Sequence, residues 1–201
     1  MKFFKRHAYA LLFTLFLMGA NVYSLLKVFV IPSAVSTVSA NTTSSTTASS
    51  TASTSTGKVT KTDTTYKDDN MDIKITTGKT SDTTYYVADI KLSSADYLKT
   101  ALAQNTYGTN ITDTTSSIAQ QNNAIFAING DYYGANQSGY VIKNGQVYRD
   151  TDRNSDYEDL AVYSDGSFKT FNESDTTAQK LVDSGVVNTF AFGPTLVENG
   201  K

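Results

Sequence analysis

From Ala8 to Ile31 the chain is almost wholly apolar, with Asn21 and Lys27 as interruptions. About 20 such residues cross a bilayer. A short basic head, Lys2, Lys5, Arg6 and His7, precedes the run. Basic residues there favour an inside amino terminus and an outside remainder. Ser33 to Thr65 is then nearly all Ser, Thr and Ala. Such a segment buries too little apolar surface to offset its ordering entropy. Three parts are therefore expected. Residues 1–32 form a signal anchor, 33–65 a flexible Ser/Thr-rich linker, and 66–201 the folded part. Val38-Ser39-Ala40 also resembles a signal-peptidase site. Length favours the uncleaved anchor, and Pro32 closes the run about where a membrane helix would end. The expected location is the cell membrane, single-pass with an extracellular carboxy-terminal domain. The alternative is secretion after cleavage near Ala40.

Composition excludes several chemistries. There is no Cys, and the single His is His7, beside the membrane. The exported part therefore has no disulfide, no thiolate nucleophile, no Ser-His-Asp triad and no His-ligated zinc. Acid–base work there falls to carboxylates, Tyr or Lys. Four of the 17 basic residues lie before Ile31, so 13 face 19 acidic residues downstream. This acidic balance does not suit nucleic acid.

The most informative local stretch is Ala124-Ile125-Phe126-Ala127-Ile128, breaking into Asn129-Gly130-Asp131-Tyr132-Tyr133-Gly134. The run is short and rich in Ile and Phe, which predicts a buried strand. Its end would present an amide and a carboxylate. The ordinary alternative is an Asn-Gly turn with a solvated Asp. Strands are also predicted over Met71–Ile75 and Thr84–Leu92 by alternation. A helix is expected after Ser93 or Ser94, with an apolar stripe of Tyr97, Leu98, Ala101 and Leu102. Another is expected over Thr115–Gln121. Asn144-Gly145 and Asp165-Gly166 supply the positive φ angles of tight hairpins. Asp175 is expected to cap a helix over Thr176–Val182, with Gly185 ending it. Val186 to Phe192 reads as a further strand. The fold class is α+β, a mixed or antiparallel sheet with hairpins and a few short helices. Thr195-Leu196-Val197-Glu198 leads into Asn199-Gly200 with no return strand. This predicts an incomplete domain.

Four segments occur in order: 127–134, Gly139 to Gly145, Asp159 to Gly166 and Phe190 to Val197. Together they resemble the phosphodiester glycosidase family, over roughly Met71 to Lys201. The basic head, apolar segment and linker suit its Gram-positive members. The resemblance implies a glycosidase acting on sugar-1-phosphodiester linkages of cell-envelope glycopolymers or exopolysaccharide. It implies a carbohydrate or sugar-phosphate polymer as partner; the apolar run supplies the membrane anchor, and no cofactor is expected, with the metal requirement left open. Family motifs expected further on, including an Asp-Gly-Gly-Gly-Ser-Ser-like segment, do not occur here, so this chain alone is expected to be an inactive fragment. Asn129, Gly130 and Asp131 match the family's cleft-lining Asn-Gly-Asp element, and Gly193 and Pro194 match a second. Carboxylates serve glycosidic cleavage by protonating the leaving oxygen, activating water or steadying positive charge. Asp131 and Asn129 are thus the expected catalytic residues. Tyr132 and Tyr133 can stack on a sugar, or simply pack across strands. Arg149 and Arg153 can grip phosphate, while the surrounding charged loop reads equally as a solvated surface. Asp150, Asp152 and Asp156 alternate like a calcium loop but lack its full spacing. A non-catalytic carbohydrate-binding or wall-associated module is the competing function.

Overall fold

The computed structural model describes residues 2–34, 58–153, 156–191 and 194–197. Most of the Ser/Thr-rich linker, Gly193 and the terminal Asn199-Gly200 lie outside the described residues. The chain runs from helix α1 (Lys2–Phe29) into strands β1 (Ser33–Ala34), β2 (Thr60–Lys61), β3 (Thr65–Lys67), β4 (Met71–Lys79), β5 (Thr84–Leu92) and β6 (Gly108–Thr109). Helix α2 (Thr115–Gln121) follows, then β7 (Val141–Lys143), β8 (Gln146–Arg149), β9 (Glu158–Tyr163), β10 (Phe168–Asn172), α3 (Ala178–Asp183) and β11 (Val186–Phe190). Helix α1 contains one stretch, Ala8–Phe29, long and apolar enough to cross a membrane or to serve as a signal sequence.

Every strand pairing is antiparallel. One sheet has the order β2-β3-β4-β5, a second β10-β9-β11, and two are two-stranded, β1-β6 and β7-β8. The α+β class with few helices therefore stands as expected. Strand β5 spans the predicted Thr84–Leu92, and α2 the predicted Thr115–Gln121, capped by the Thr114 side chain. At the first hairpin Asn144 and Gly145 have φ of +51° and +80°, both left-handed. Only Gly and Asn-like residues take such angles cheaply, so the two-residue turn fixes the β7-β8 register. Gly185, at φ +98°, ends α3 and donates to Val182 O.

The core is small. Tyr140, Ile142, Ala161, Ala178, Leu181 and Val186 pack together, flanked by Val147, Tyr163, Phe171 and Val182. Helix α3 lies on β7, β8 and β11, burying Ala178 and Leu181. Strands β7 and β11 are joined by side chains as well as backbone. Thr189 Oγ1 accepts from Ile142 N at 3.0 Å, Asn188 Oδ1 from Asn144 N at 2.9 Å, and Val187 O from Gly145 N at 2.7 Å.

Three expectations differ from the structure. The predicted strand over Ala124–Ile128 is irregular, and Ile125 and Ile128 are 45% and 74% exposed. A strand needs an open edge to pair with. Among the described residues none pairs with this run, and the near side of β11 is taken by the β7 turn. The helix after Ser94 is a single 3-10 turn, Ala95–Tyr97. Thr100 is held instead by Asn144 Oδ1 on its N–H and Asn188 Oδ1 on its hydroxyl, which draws the chain out of helical path. Helix α3 starts two residues late, because Thr177 caps it by accepting from Lys180 N, while Glu173–Asp175 forms its own 3-10 turn.

Ile142 is fully buried at the centre of this core. Ile142→Ala is expected to lower stability by about 2–5 kcal/mol. The urea midpoint of the detergent-solubilised chain measures it.

Candidate active site

The Asn-Gly-Asp element is held by a lysine that the sequence reading did not single out. Lys143 ends β7 and is 5% exposed. Its Nζ donates to Asp131 Oδ1 at 3.0 Å and to Thr189 O at 2.7 Å. It also lies 4.1 Å from the Phe190 ring centroid and 5.9 Å from that of Tyr133. The Asp131 side chain is only 4% exposed, and its Oδ2 accepts from Ala191 N at 3.1 Å. Burial lowers the Lys143 pKa, and the Asp131 charge opposes that shift. Two charges withdrawn from water together keep their ionised forms only while both are present. The pair joins the 129–131 turn to β7 and β11 at one point. Asn129 and Gly130 remain exposed. A Cβ on Gly130 would sit 3.4 Å from the Phe190 ring, which closes that side.

Tyr132 points outward and is 66% exposed, whereas Tyr133 turns inward. Tyr133 stacks on Tyr107 at 5.4 Å between centroids and 19° between planes. Tyr107 also meets Tyr148 at 5.1 Å. These three rings line a cleft of about 240 Å³, with Gly108, Arg149 and Asp150 on its walls. Gly134 permits it, since a Cβ there would meet Gly108 O at 3.1 Å. Burial, then the charges of Tyr107, Asp131 and Tyr148, push the Tyr133 hydroxyl up to about 12. It is therefore a neutral donor at physiological pH. A cleft of stacked aromatic faces with polar edges suits a sugar ring, whose C–H faces pack and whose hydroxyls bond. Asp131 is not on the walls of this cleft.

The two arginines are engaged with the protein itself. Arg149 Nε donates to Gly139 O at 2.5 Å, and its Nη1 to Tyr133 O at 3.1 Å and Asn136 O at 2.6 Å. It fastens the loop that carries Tyr133. Arg153 packs on Gly139, whose missing side chain leaves room for it, and pairs with Asp159 and Glu173. Glu173 also accepts from Tyr140 N at 2.5 Å and Arg153 N at 2.7 Å. Burial first, and the neighbouring Glu173, push the Asp159 carboxyl up to about 7, against the pull of Arg153. Pro194 lies apart, exposed in a bend. Among the described residues no group of three or more His, Cys, Asp or Glu could hold a metal ion. The structure thus brings together Asp131, Tyr133 and Arg149 around one loop, and sets Arg153 and Pro194 elsewhere. Tyr107, Tyr148 and Lys143 were not anticipated. Tyr107 sits in a Thr-Tyr-Gly and Tyr148 in a short strand without a distinguishing pattern, and Lys143, though inside the Gly139 to Gly145 segment, carries no local sign of its burial.

Residues 122–201 match the phosphodiester glycosidase family model, by which this stretch is similar to that family. The match opens at Asn122 and takes in the Asn-Gly-Asp element, both later hairpins and α3. The chain is also 31% identical over 99 residues to the SPbeta prophage-derived uncharacterized protein YomE of Bacillus subtilis. That alignment covers 47% of this chain and 15% of the relative's length. No solved structure matches the chain.

Two outcomes follow from these buried charges. Lys143→Met leaves Asp131 buried without its counter-ion and is expected to destabilise by about 3–5 kcal/mol, while Lys143→Met with Asp131→Leu recovers much of that loss. Chemical denaturation of the three proteins measures it. Asp159 binds its proton more tightly folded, at about 7, than unfolded, near 3.9. The native state then holds the extra proton between those values, so this group makes stability fall as pH rises from about 4 through 7. Thermal melts across that window should show a flatter profile for Asp159→Asn.

Proposed function

We propose that the protein is a membrane-tethered, extracellular phosphodiester glycosidase that releases sugar from sugar-1-phosphodiester linkages of cell-envelope glycopolymers or exopolysaccharide. One observation supports this reading: the family match covers both the Asn129–Asp131 turn and Tyr133, two residues further on, which lines the tyrosine cleft. In this proposal Tyr133 and Tyr107 form the platform for the sugar ring. Tyr133, neutral, donates to a sugar or phosphate oxygen. Asn129 and Gly130 form the exposed rim of the site. Asp131 lies off the cleft walls, so in this proposal its charge, rather than a direct contact, steadies positive charge at the anomeric carbon, the role that oxocarbenium-like transition states require. Lys143 positions it. Phosphate departs as an anion and needs little protonation, so fewer acidic groups suffice than for an ordinary glycoside.

A second reading rests on the burial of Asp131. Both of its oxygens are engaged by Lys143 and Ala191 N. A carboxylate so held suits a non-catalytic, carbohydrate-binding module in which the ion pair is structural. One experiment separates the two. Membranes carrying the protein are given a sugar-1-phosphodiester, and free sugar is measured. Asp131→Asn leaves Lys143 buried without its counter-ion, so its urea midpoint falls; assayed without denaturant, where circular dichroism shows it folded, it is expected to lose about 100-fold or more of the release. Retained glycan binding with no release from the unaltered protein would favour the binding module. Unchanged release by Asp131→Asn would remove that residue from the chemistry.

A further inference from the structure

The tyrosine cleft is tied to the end of the apolar helix. Strand β1, four residues beyond α1, pairs with β6 through Ser33↔Thr109 and Ala34↔Gly108. Gly108 and Thr109 are also walls of the cleft, directly after Tyr107. One strand spacing, about 4.8 Å, therefore separates the cleft wall from the chain as it leaves the helix. A second attachment lies alongside. The last carbonyls of a helix have no partner within it. Asn110 Nδ2 donates to Val28 O at 2.9 Å and Ile31 O at 3.4 Å, at that end. Asn110 has φ of +58°, a left-handed angle that Asn tolerates better than other side-chain-bearing residues. This directs its amide back at the helix.

The 22 residues of Ala8–Phe29 would span about 33 Å at 1.5 Å each, close to the hydrocarbon thickness. Val28 to Ile31 then lie at the outer membrane face. The β1-β6 pairing holds the cleft wall against residues 33–34, next to the end of the helix.

We infer that the cleft is strapped to the bilayer surface by residues 28–34, and that its ligand is a sugar phosphate still attached to a membrane lipid. The nature of the headgroup rests on the proposed glycosidase reading, and the position rests on the proposed membrane tether. A soluble sugar phosphate offers the same headgroup chemistry, and the difference is delivery. A lipid-borne headgroup is concentrated at the bilayer surface to which the cleft wall is tied, and a soluble one is not.

The absence of Cys from the sequence makes the test clean. The full chain carrying Ser33→Cys and Thr109→Cys is reconstituted in vesicles and oxidised mildly. An intramolecular disulfide is expected, with none for Ser33→Cys paired with Ser174→Cys. Absence of the first disulfide overturns the strap, as does a cellular protein whose chain begins after Ala40. A second variant, Gln137→Cys, places one thiol in the cleft lining. A prenyl-linked sugar phosphate in the same vesicles should slow its labelling by a water-soluble maleimide about tenfold, equivalent to about 1.4 kcal/mol of protection. The same headgroup on a short soluble alcohol, at equal total concentration, should not. Equal protection by both, or protection by neither, overturns the ligand assignment. Loss of sugar release with protection intact would instead count against the glycosidase reading alone.

Discussion

The contact between Lys143 and Asp131 is the point on which the rest of the domain converges. One ammonium, almost wholly buried, reaches the Asn-Gly-Asp turn, the backbone of β11 and the ring of Phe190. The irregular 124–131 segment lacks strand partners among the described residues, so this ion pair and the Ala191 N–H hold its end. A buried pair of this kind is a poor source of net stability, because desolvation cancels much of the attraction. It is a strong source of specificity. Any arrangement that separates the two leaves a charge without solvent or partner, so the turn has one position relative to the β7-β8 hairpin.

Above that pair the polar groups serve to hold a loop in shape. Arg149 collects three carbonyls of the 133–139 segment, and Arg153 with Asp159 and Glu173 fills the space beneath Gly139. Arginine suits both tasks, since its planar fork donates in several directions at fixed angles. The consequence is a preorganised Tyr107-Tyr133-Tyr148 cleft whose walls come from chain segments far apart in sequence. Rigid aromatic faces bind a ring with little loss of side-chain freedom, which is the physical merit of building such a site from tyrosine.

Local signals succeeded where a single short-range cause dominates. Asn144-Gly145 and Gly166 set hairpins because their left-handed backbone angles are nearly unique to such residues. Thr114 and Gly185 bounded helices for equally local reasons. Failure came where tertiary hydrogen bonds outbid propensity. Asn144 and Asn188 hold Thr100 and dissolve the expected helix after Ser94. The Ala124–Ile128 run has the composition of a strand, yet hydrophobic composition cannot supply the neighbouring edge that makes one. Of the residues expected at a site, Tyr133 lines the tyrosine cleft, whereas Asp131, two positions earlier, is buried against Lys143 off its walls. The phosphate-gripping potential assigned to Arg149 and Arg153 was legible as charge, but their actual partners were not.

The sequence by itself determined the apolar first helix, the antiparallel hairpins, the lack of Cys and of any His after His7, and the likeness of residues 122–201 to the phosphodiester glycosidase family. Each of these depends on residue type or on contacts within a few positions. Tertiary structure alone decided that Lys143 is buried against Asp131, that three tyrosines from separate segments share one cleft, and that β6 pairs with residues just past the helix. Those facts join positions 12 to 76 residues apart. No local rule reaches that far, because such contacts form only when burial and backbone pairing across the whole chain are satisfied at once.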